Sequence, residues 1–264
     1  MRTGFVGGGK MAEALLSGML AQKVCTAGEV LVSDRDAGRR QWLRDCYGVE
    51  TLEQNLAVVE RSEVVILAVK PQDLDAVLDE LAPAASGRLF VSIAAGRRLA
   101  YFESRLRWAR VVRVMPNLAC QAGEGMSACC GGTGTTAADA ALVRRMFESC
   151  GRVVDLDESF FDTVTALSGS GPAFFAFVVQ ALVEAAVAQG MAAATALELA
   201  LQTMRGSATV MMQGGIAPVD FMASVASKGG TTAAGLAVLE SSDLRNVLQA
   251  TLDAAARRST QLSA

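Results

Sequence analysis

Apolar residues along the first part of the chain come in short runs, each ended by a turn signal. Thr3–Val6 leads into Gly7-Gly8-Gly9, and Glu29–Ser33 into Asp34-Arg35. Val64–Val69 is apolar throughout and stops at Lys70-Pro71. Leu89–Ile93 closes on Ala94-Ala95-Gly96, and Val111–Met115 on Pro116-Asn117. Met126–Cys130 and Arg152–Leu156 have the same form. Short continuous runs of this kind predict strands covered on both faces. Between them the spacing turns helical, over Met11–Gln22, Gly38–Tyr47 and Asp73–Leu81. Strand–helix alternation predicts an α/β fold, a Rossmann-type doubly wound parallel sheet.

After Asp157 the strands stop. Ala, Leu, Val and Met recur with helical spacing over Glu158–Leu167, Pro172–Gln189, Ala193–Gln213, Pro218–Val225, Thr232–Glu240 and Asp243–Ser259. Two domains are therefore expected, 1–157 and 158–264, the second all-helical. No charge lies between Asp162 and Glu184, a length that would cross a bilayer of ~30 Å. Ser168-Gly169-Ser170-Gly171-Pro172 breaks that stretch, and no basic flank anchors it. A helix enclosed by other helices is the reading preferred here, with no membrane partner. Ala173–Val179 covers every helical face with apolar side chains, and six helices of one chain can hardly enclose it. A second copy, related by a two-fold axis, is expected to complete the core.

Composition narrows the chemistry. The chain has 52% hydrophobic and 19% charged residues, enough to build a sizeable core. Its mean hydropathy of +0.33 is high and its pI near 5.2. With a net charge of −3 and no long Lys/Arg run, nucleic acid is not an expected partner. Histidine is absent. That excludes imidazole acid/base chemistry, Ser-His and Cys-His pairs and His-ligated metals. The six cysteines form neither a zinc spacing nor a disulfide framework, and read as reduced core residues of a cytoplasmic protein. No metal site is expected.

Gly7-x-Gly9-x-x-Ala12 follows a strand and opens a helix, inside a βαβ unit. Gly7 permits the tight turn, Gly9 lets backbone approach a pyrophosphate, and Ala12 lets helix and sheet pack closely. The anion would lie on the helix N-terminus. At the end of the second strand, Ser33 and Arg35 suit a 2′-phosphate and Asp34 suits a free ribose 2′-hydroxyl. The balance favours NADPH, with NADH an alternative. Lys70-Pro71, Ala94-Ala95-Gly96 and Pro116-Asn117 end strands at the same crevice. Two further glycine clusters, Ser168–Pro172 and Ser227-Lys228-Gly229-Gly230-Thr231-Thr232, precede helices. Each offers free N–H groups that suit a carboxylate or simply cap a helix.

These segments resemble a known family. Gly4-Phe5-Val6-Gly7-Gly8-Gly9-Lys10-Met11-Ala12, Leu67-Ala68-Val69-Lys70-Pro71-Gln72 and Arg113-Val114-Met115-Pro116-Asn117 stand in the order of pyrroline-5-carboxylate reductases. So do Leu167-Ser168-Gly169-Ser170-Gly171-Pro172-Ala173 and Ser227–Thr232. The last two are the specific motifs. The resemblance runs from about residue 3 to 258. It implies a dinucleotide-binding domain, a C-terminal helical dimerisation domain and the last step of proline biosynthesis. NADPH or NADH would donate the hydride to the small-molecule substrate, pyrroline-5-carboxylate. A homodimer that assembles further is also implied.

Carried over by residue, the resemblance places the pyrophosphate on Val6, Gly7, Gly8, Gly9, Lys10 and Met11. The adenosine ribose falls near Ser33, Asp34, Arg35 and Asn55. The nicotinamide half falls near Ala68, Val69, Lys70, Pro71, Ala94 and Ala95. The substrate carboxylate goes to Ser227, Gly229, Gly230, Thr231 and Thr232, with the Thr232 hydroxyl beside the ring nitrogen as the catalytic group. Lys10 stands where Asn or Gln is usual, Leu118-Ala119 replaces Thr-Pro, and Ser224 replaces Asn. No departure removes a reacting group. Two alternatives share these features: a reductase of a related cyclic imine or small keto acid, and a non-catalytic NAD(P)-binding regulatory protein. The second has no need of Ser227–Thr232.

Overall fold

The computed structural model describes residues 1–262. Strands and helices alternate as β1 (Thr3–Val6), α1 (Lys10–Ala21), β2 (Val30–Ser33), α2 (Ala37–Tyr47), β3 (Glu50–Leu52), α3 (Asn55–Glu60), β4 (Val64–Leu67), α4 (Leu74–Leu81), β5 (Leu89–Ser92), α5 (Leu99–Arg105) and β6 (Arg110–Met115). β7 (Gly125–Gly131), α6 (Ala137–Glu148) and β8 (Gly151–Asp155) complete the sheet, whose order is β3-β2-β1-β4-β5-β6-β7-β8. Helices α7 (Phe161–Val164), α8 (Gly171–Ala188), α9 (Ala193–Gly214), α10 (Pro218–Val225), α11 (Thr231–Ser241) and α12 (Leu244–Leu262) follow.

The sheet is parallel through β6 and then reverses, because β7 pairs antiparallel with β6. The doubly wound parallel sheet expected from sequence is present, with this one antiparallel pair. The link from Pro116 to Glu124 is too short for a parallel crossover, which needs about a dozen residues, so the chain turns straight back. α6 then returns the chain to place β8 parallel to β7. The order reverses direction between β1 and β4, and this switch point opens a crevice beyond their C-terminal ends.

Two apolar layers sandwich the sheet. Phe5, Leu15, Leu16, Met19, Val114 and Phe147 pack on one face, and Leu67, Leu78, Phe90 and Phe102 on the other. Helix α2 starts on Asp36, whose carboxylate accepts from the N–H groups of Gly38 (2.8 Å) and Arg39 (3.2 Å), and ends on left-handed Gly48. Both are standard terminators. Of the six cysteines, Cys25, Cys120, Cys129 and Cys150 are buried and Cys130 half-buried, whereas Cys46 is exposed on α2. Burial pushes the Cys129 and Cys130 thiols up to about 12.

The chain forms two compact units, Met1–Pro172 with the chain from Ala254 onward, and Ala173–Asp253. The first unit therefore extends past the change of sequence character at Asp157. Phe161 is fully buried with Met115 and Ala128. Asp162 accepts hydrogen bonds from Ser259 Oγ (2.6 Å) and Thr260 Oγ1 (2.9 Å), which ties the last turns of α12 to the same unit. The apolar stretch Glu158–Ala188 has the length and hydropathy of a membrane span. It is not uniformly α-helical, since a π turn at Thr165–Gly169 lies between α7 and α8. Within the second unit Val179, Val183 and Ala196 form a small buried cluster, while Phe175, Phe177 and Leu182 are exposed.

Candidate active site

The crevice at the switch point is a cavity of about 270 Å³. It is lined by Gly7, Gly9, Ser33, Asp34, Arg35, Asn55, Ala68, Val69 and Lys70, all anticipated from sequence, and by Asp73 and Val77, which were not. Gly7 has φ +96°, and a Cβ there would stand 2.9 Å from the Ala68 carbonyl oxygen. Only glycine fits that backbone without strain. Gly9 caps α1 without a side-chain hydrogen bond, and a Cβ built on it meets nothing within 4 Å. A side chain there would fill the space above the free first-turn N–H groups of α1, where an anion would rest. The cradle fits a dinucleotide pyrophosphate.

A cluster not read from the sequence holds this turn. Arg39 donates through Nε to the Gly8 carbonyl and through Nη2 to the Gly9 carbonyl (3.4 Å). Planar trans peptides then point the N–H groups of Gly9 and Lys10 the opposite way. Glu13 pairs with Arg39 and accepts from Trp42 Nε1 and Tyr47 Oη, each at 3.0 Å. Burial alone would raise the Glu13 pKa, but these three donors outweigh it and hold the carboxyl below its ordinary value. Burial, then Glu13, pushes the Tyr47 phenol up. Nothing in the spacing of Glu13, Arg39, Trp42 and Tyr47 marks them, because the contact runs between two helices.

At the ribose end, Ser33 and Asp34 line the cavity and also bond to the backbone around it. Ser33 is fully buried, and its hydroxyl donates to the Phe5 carbonyl (3.3 Å). A strand covered on both faces leaves that hydroxyl only a backbone partner. Asp34 turns inward, where its carboxylate accepts from the N–H groups of Gly8 and Asp36, each at 2.9 Å. The Gly8 N–H is thus paired with Asp34. Arg40 donates to the carbonyls of Asp34 (2.7 Å) and Arg35 (3.0 Å). The Arg35 guanidinium is exposed and has no side-chain partner among the described residues. Asn55 donates to Glu80 (2.9 Å), which leaves its oxygen for the cavity.

Val6 is fully buried, with its carbonyl accepting from Ala68 N–H (2.9 Å), so it supports the turn from below. Met11 is half-buried and Lys10 exposed on α1. Pro71 starts the turn after β4, and Ala94 and Ala95 follow the end of β5. These lie outside the residues that line the cavity. In the second unit, Gly229 has φ +72° and Gly230 caps α11. Gly230 N–H donates to the Ser227 carbonyl (3.0 Å), which removes it as a ligand donor. The first-turn N–H groups of Thr231 and Thr232 have no helical partner. Thr232 is half-buried.

Sheet order, switch-point cavity and glycine turn define an NAD(P)-dependent oxidoreductase. A family model described as NADP oxidoreductase coenzyme F420-dependent matches residues 2–96, and one described as pyrroline-5-carboxylate reductase dimerisation matches residues 158–262. The chain is 37% identical to the pyrroline-5-carboxylate reductase of Synechocystis sp., over 99% of this chain and 98% of that one. It is 38% identical to that of Arabidopsis thaliana, over 99% and 95%. A solved pyrroline-5-carboxylate reductase from Coxiella burnetii superposes with TM-score 0.95 at 31% identity, covering 100% of this chain and 98% of that one. The Plasmodium falciparum pyrroline carboxylate reductase with NADP bound superposes with TM-score 0.89 at 26% identity, covering 100% and 98%. The chain belongs to the pyrroline-5-carboxylate reductase family.

Proposed function

We propose that the chain reduces 1-pyrroline-5-carboxylate to L-proline, the last step of proline biosynthesis, with NADPH preferred over NADH. The observation that carries this reading is identity to named reductases along nearly the whole chain, with the Ser227–Thr232 loop complete. Residues 1–157 serve the dinucleotide and 158–264 the substrate and the dimer. The working unit is a homodimer that assembles further, in the cytoplasm.

The bound nicotinamide supplies the hydride. The protein orients the imine. Gly229, Thr231 and Thr232, on the loop closed by Ser227 and Gly230, hold the substrate carboxylate against the N-terminus of α11. The Thr232 hydroxyl donates a hydrogen bond at the ring nitrogen and relays a proton from water, since an alkyl hydroxyl is too weak an acid to supply it. Positioning at the ~3–3.5 Å near-attack distance carries much of the rate. NADPH preference rests on Arg35, free to pair with a 2′-phosphate, and on Asp34, whose oxygens are engaged by backbone N–H groups.

The test is loss of NADPH absorbance on mixing with pyrroline-5-carboxylate, beside its six-membered homologue. Turnover of the homologue alone would overturn the substrate assignment. Thr232→Ala is expected to lower kcat by roughly 10- to 100-fold, the worth of a hydrogen bond to a charged group, with NADPH affinity unchanged. Thr232→Ser retains more activity. Full turnover by the alanine variant would leave solvent as the proton source.

A further inference from the structure

Arg113 and Met115 share a face at the end of strand β6, and Asn117 follows two residues beyond it. Each grips the chain between residues 158 and 169. Arg113 is buried, pairs with Glu158 (2.9 Å) and lies 4.6 Å over the Phe161 ring. Met115 packs on Phe161 and so close to Gly169 that a Cβ there would stand 2.6 Å from its Cε. Asn117 donates through Nδ2 to the Ser168 carbonyl and accepts from Met126 N–H, each at 3.1 Å.

The Ser168 carbonyl needs this donor for a reason visible in the sequence. In an α-helix it would accept from the N–H of residue 172, and Pro172 has none. The chain here is wound as a π turn, with Ser170 N–H donating to the Thr165 carbonyl (2.8 Å). Such turns are short, uncommon and concentrated at functional sites. The turn lies beside the C-terminal end of β5, because Ala95 packs on the same Met115–Phe161 cluster. That end of the sheet is where the reading above places the nicotinamide.

We propose that Asn117 is a positioning residue for hydride transfer: its amide fixes the π register of residues 165–170 and so sets how Ser168–Gly171 faces the substrate beside the nicotinamide. This rests on the functional reading above. The wild-type rate tests that reading, and the variants test only Asn117.

Asn117→Asp keeps the acceptor for Met126 and replaces only the donor toward Ser168. We expect kcat to fall by about 100-fold, the scale of a misplacement of about 1 Å, with NADPH affinity within about twofold of wild type, because the pyrophosphate turn is untouched. In the cofactor-free protein, amide exchange at Ser170 should quicken by about tenfold, one hydrogen bond's worth, while Met126 stays protected. A wild-type kcat, an equal loss of cofactor affinity, or unchanged exchange at Ser170 overturns the inference. Pro172→Ala in an Asn117→Ala background returns an N–H to the Ser168 carbonyl without restoring the π register. Recovery of kcat there means that Asn117 only pairs a carbonyl, and overturns the inference; a kcat that stays low supports it.

Discussion

The sheet unit and the helical unit are both rich in apolar residues, yet they bury them differently. Phe5, Phe90, Phe102, Phe147 and Phe161 are all fully enclosed within the first. In the second, among the described residues, the buried hydrophobic side chains are Val179, Val183 and Ala196, while Phe177 is 76% exposed and Phe175 61%. One unit closes its core with its own helices on both faces of a sheet. The other leaves an apolar face of α8 and α9 that one chain does not cover, in a region matched by a dimerisation family. The high mean hydropathy thus has a local origin. On the function proposed above, the duties of the two units would separate: one chain would complete cofactor recognition, whereas the substrate half would depend on assembly.

Phe177→Glu tests that contrast most severely. If this exposed face of α8 is the dimer interface, the side chain would carry a charge into it once from each copy of a two-fold pair. A cost of at least about 3 kcal/mol per copy weakens the dimer by more than about 10⁴-fold in total. Sedimentation should show monomer, with pyrroline-5-carboxylate turnover lost and the sheet unit still able to bind NADPH. A dimer that survives unchanged would mean that α8 is covered in some other way.

Gly7→Ala strikes the closed unit instead. Its φ of +96° and the close approach to Ala68 predict about 2 kcal/mol of strain, felt as weaker binding of NADPH and NADH alike. Sedimentation should still show the dimer. Arg35→Ala is narrower: NADPH weakens by about 1.5 kcal/mol, the low end for an exposed charged hydrogen bond, and NADH hardly changes. Equal losses for both cofactors would remove Arg35 from the 2′-phosphate site.

The strands flanking the glycine turn were legible because each is a continuous apolar run stopped by Gly, Pro or Asp. So was Gly7-x-Gly9-x-x-Ala12, because strand, turn and helix are local. β3 passed unread: Glu50-Thr51-Leu52 is a polar edge strand without the apolar signature. The reversal of β7 lay in a loop length rather than in a pattern. Helix α6 carries a local signal in Thr136 and Asp139, which cap it reciprocally. At the site, Ser33, Asp34, Arg35 and Asn55 were expected near the ribose, and all four line the cavity. The inward turns of Ser33 and Asp34, and the hold of Glu13 and Arg39 on the glycine carbonyls, depend on contacts 26 to 31 residues apart. Helical or strand periodicity carries no information at that range.

The smallest expected effect concerns acid. Glu13 is held below its ordinary value of 4.5 against the opposing effect of burial, by Trp42, Arg39 and Tyr47. A carboxyl with a depressed folded pKa binds protons less readily when folded. Its stabilisation is present above the unfolded value and is lost as pH falls through the folded one. Wild-type protein should therefore lose stability below about pH 4.5 more steeply than Glu13→Gln, which keeps the shape and some hydrogen bonding but cannot titrate. Urea midpoints measured from pH 6 down to pH 3 read the difference between the two slopes. Glu29 lies lower still, at about 2, held by the Thr26 backbone N–H and the amino terminus. Its side chain is more exposed than that of Glu13, 39% against 23%, so salt should shrink its contribution while leaving that of Glu13 more nearly intact. Parallel slopes for wild type and Glu13→Gln at high salt would show that the Glu13 cluster holds the glycine turn by shape alone.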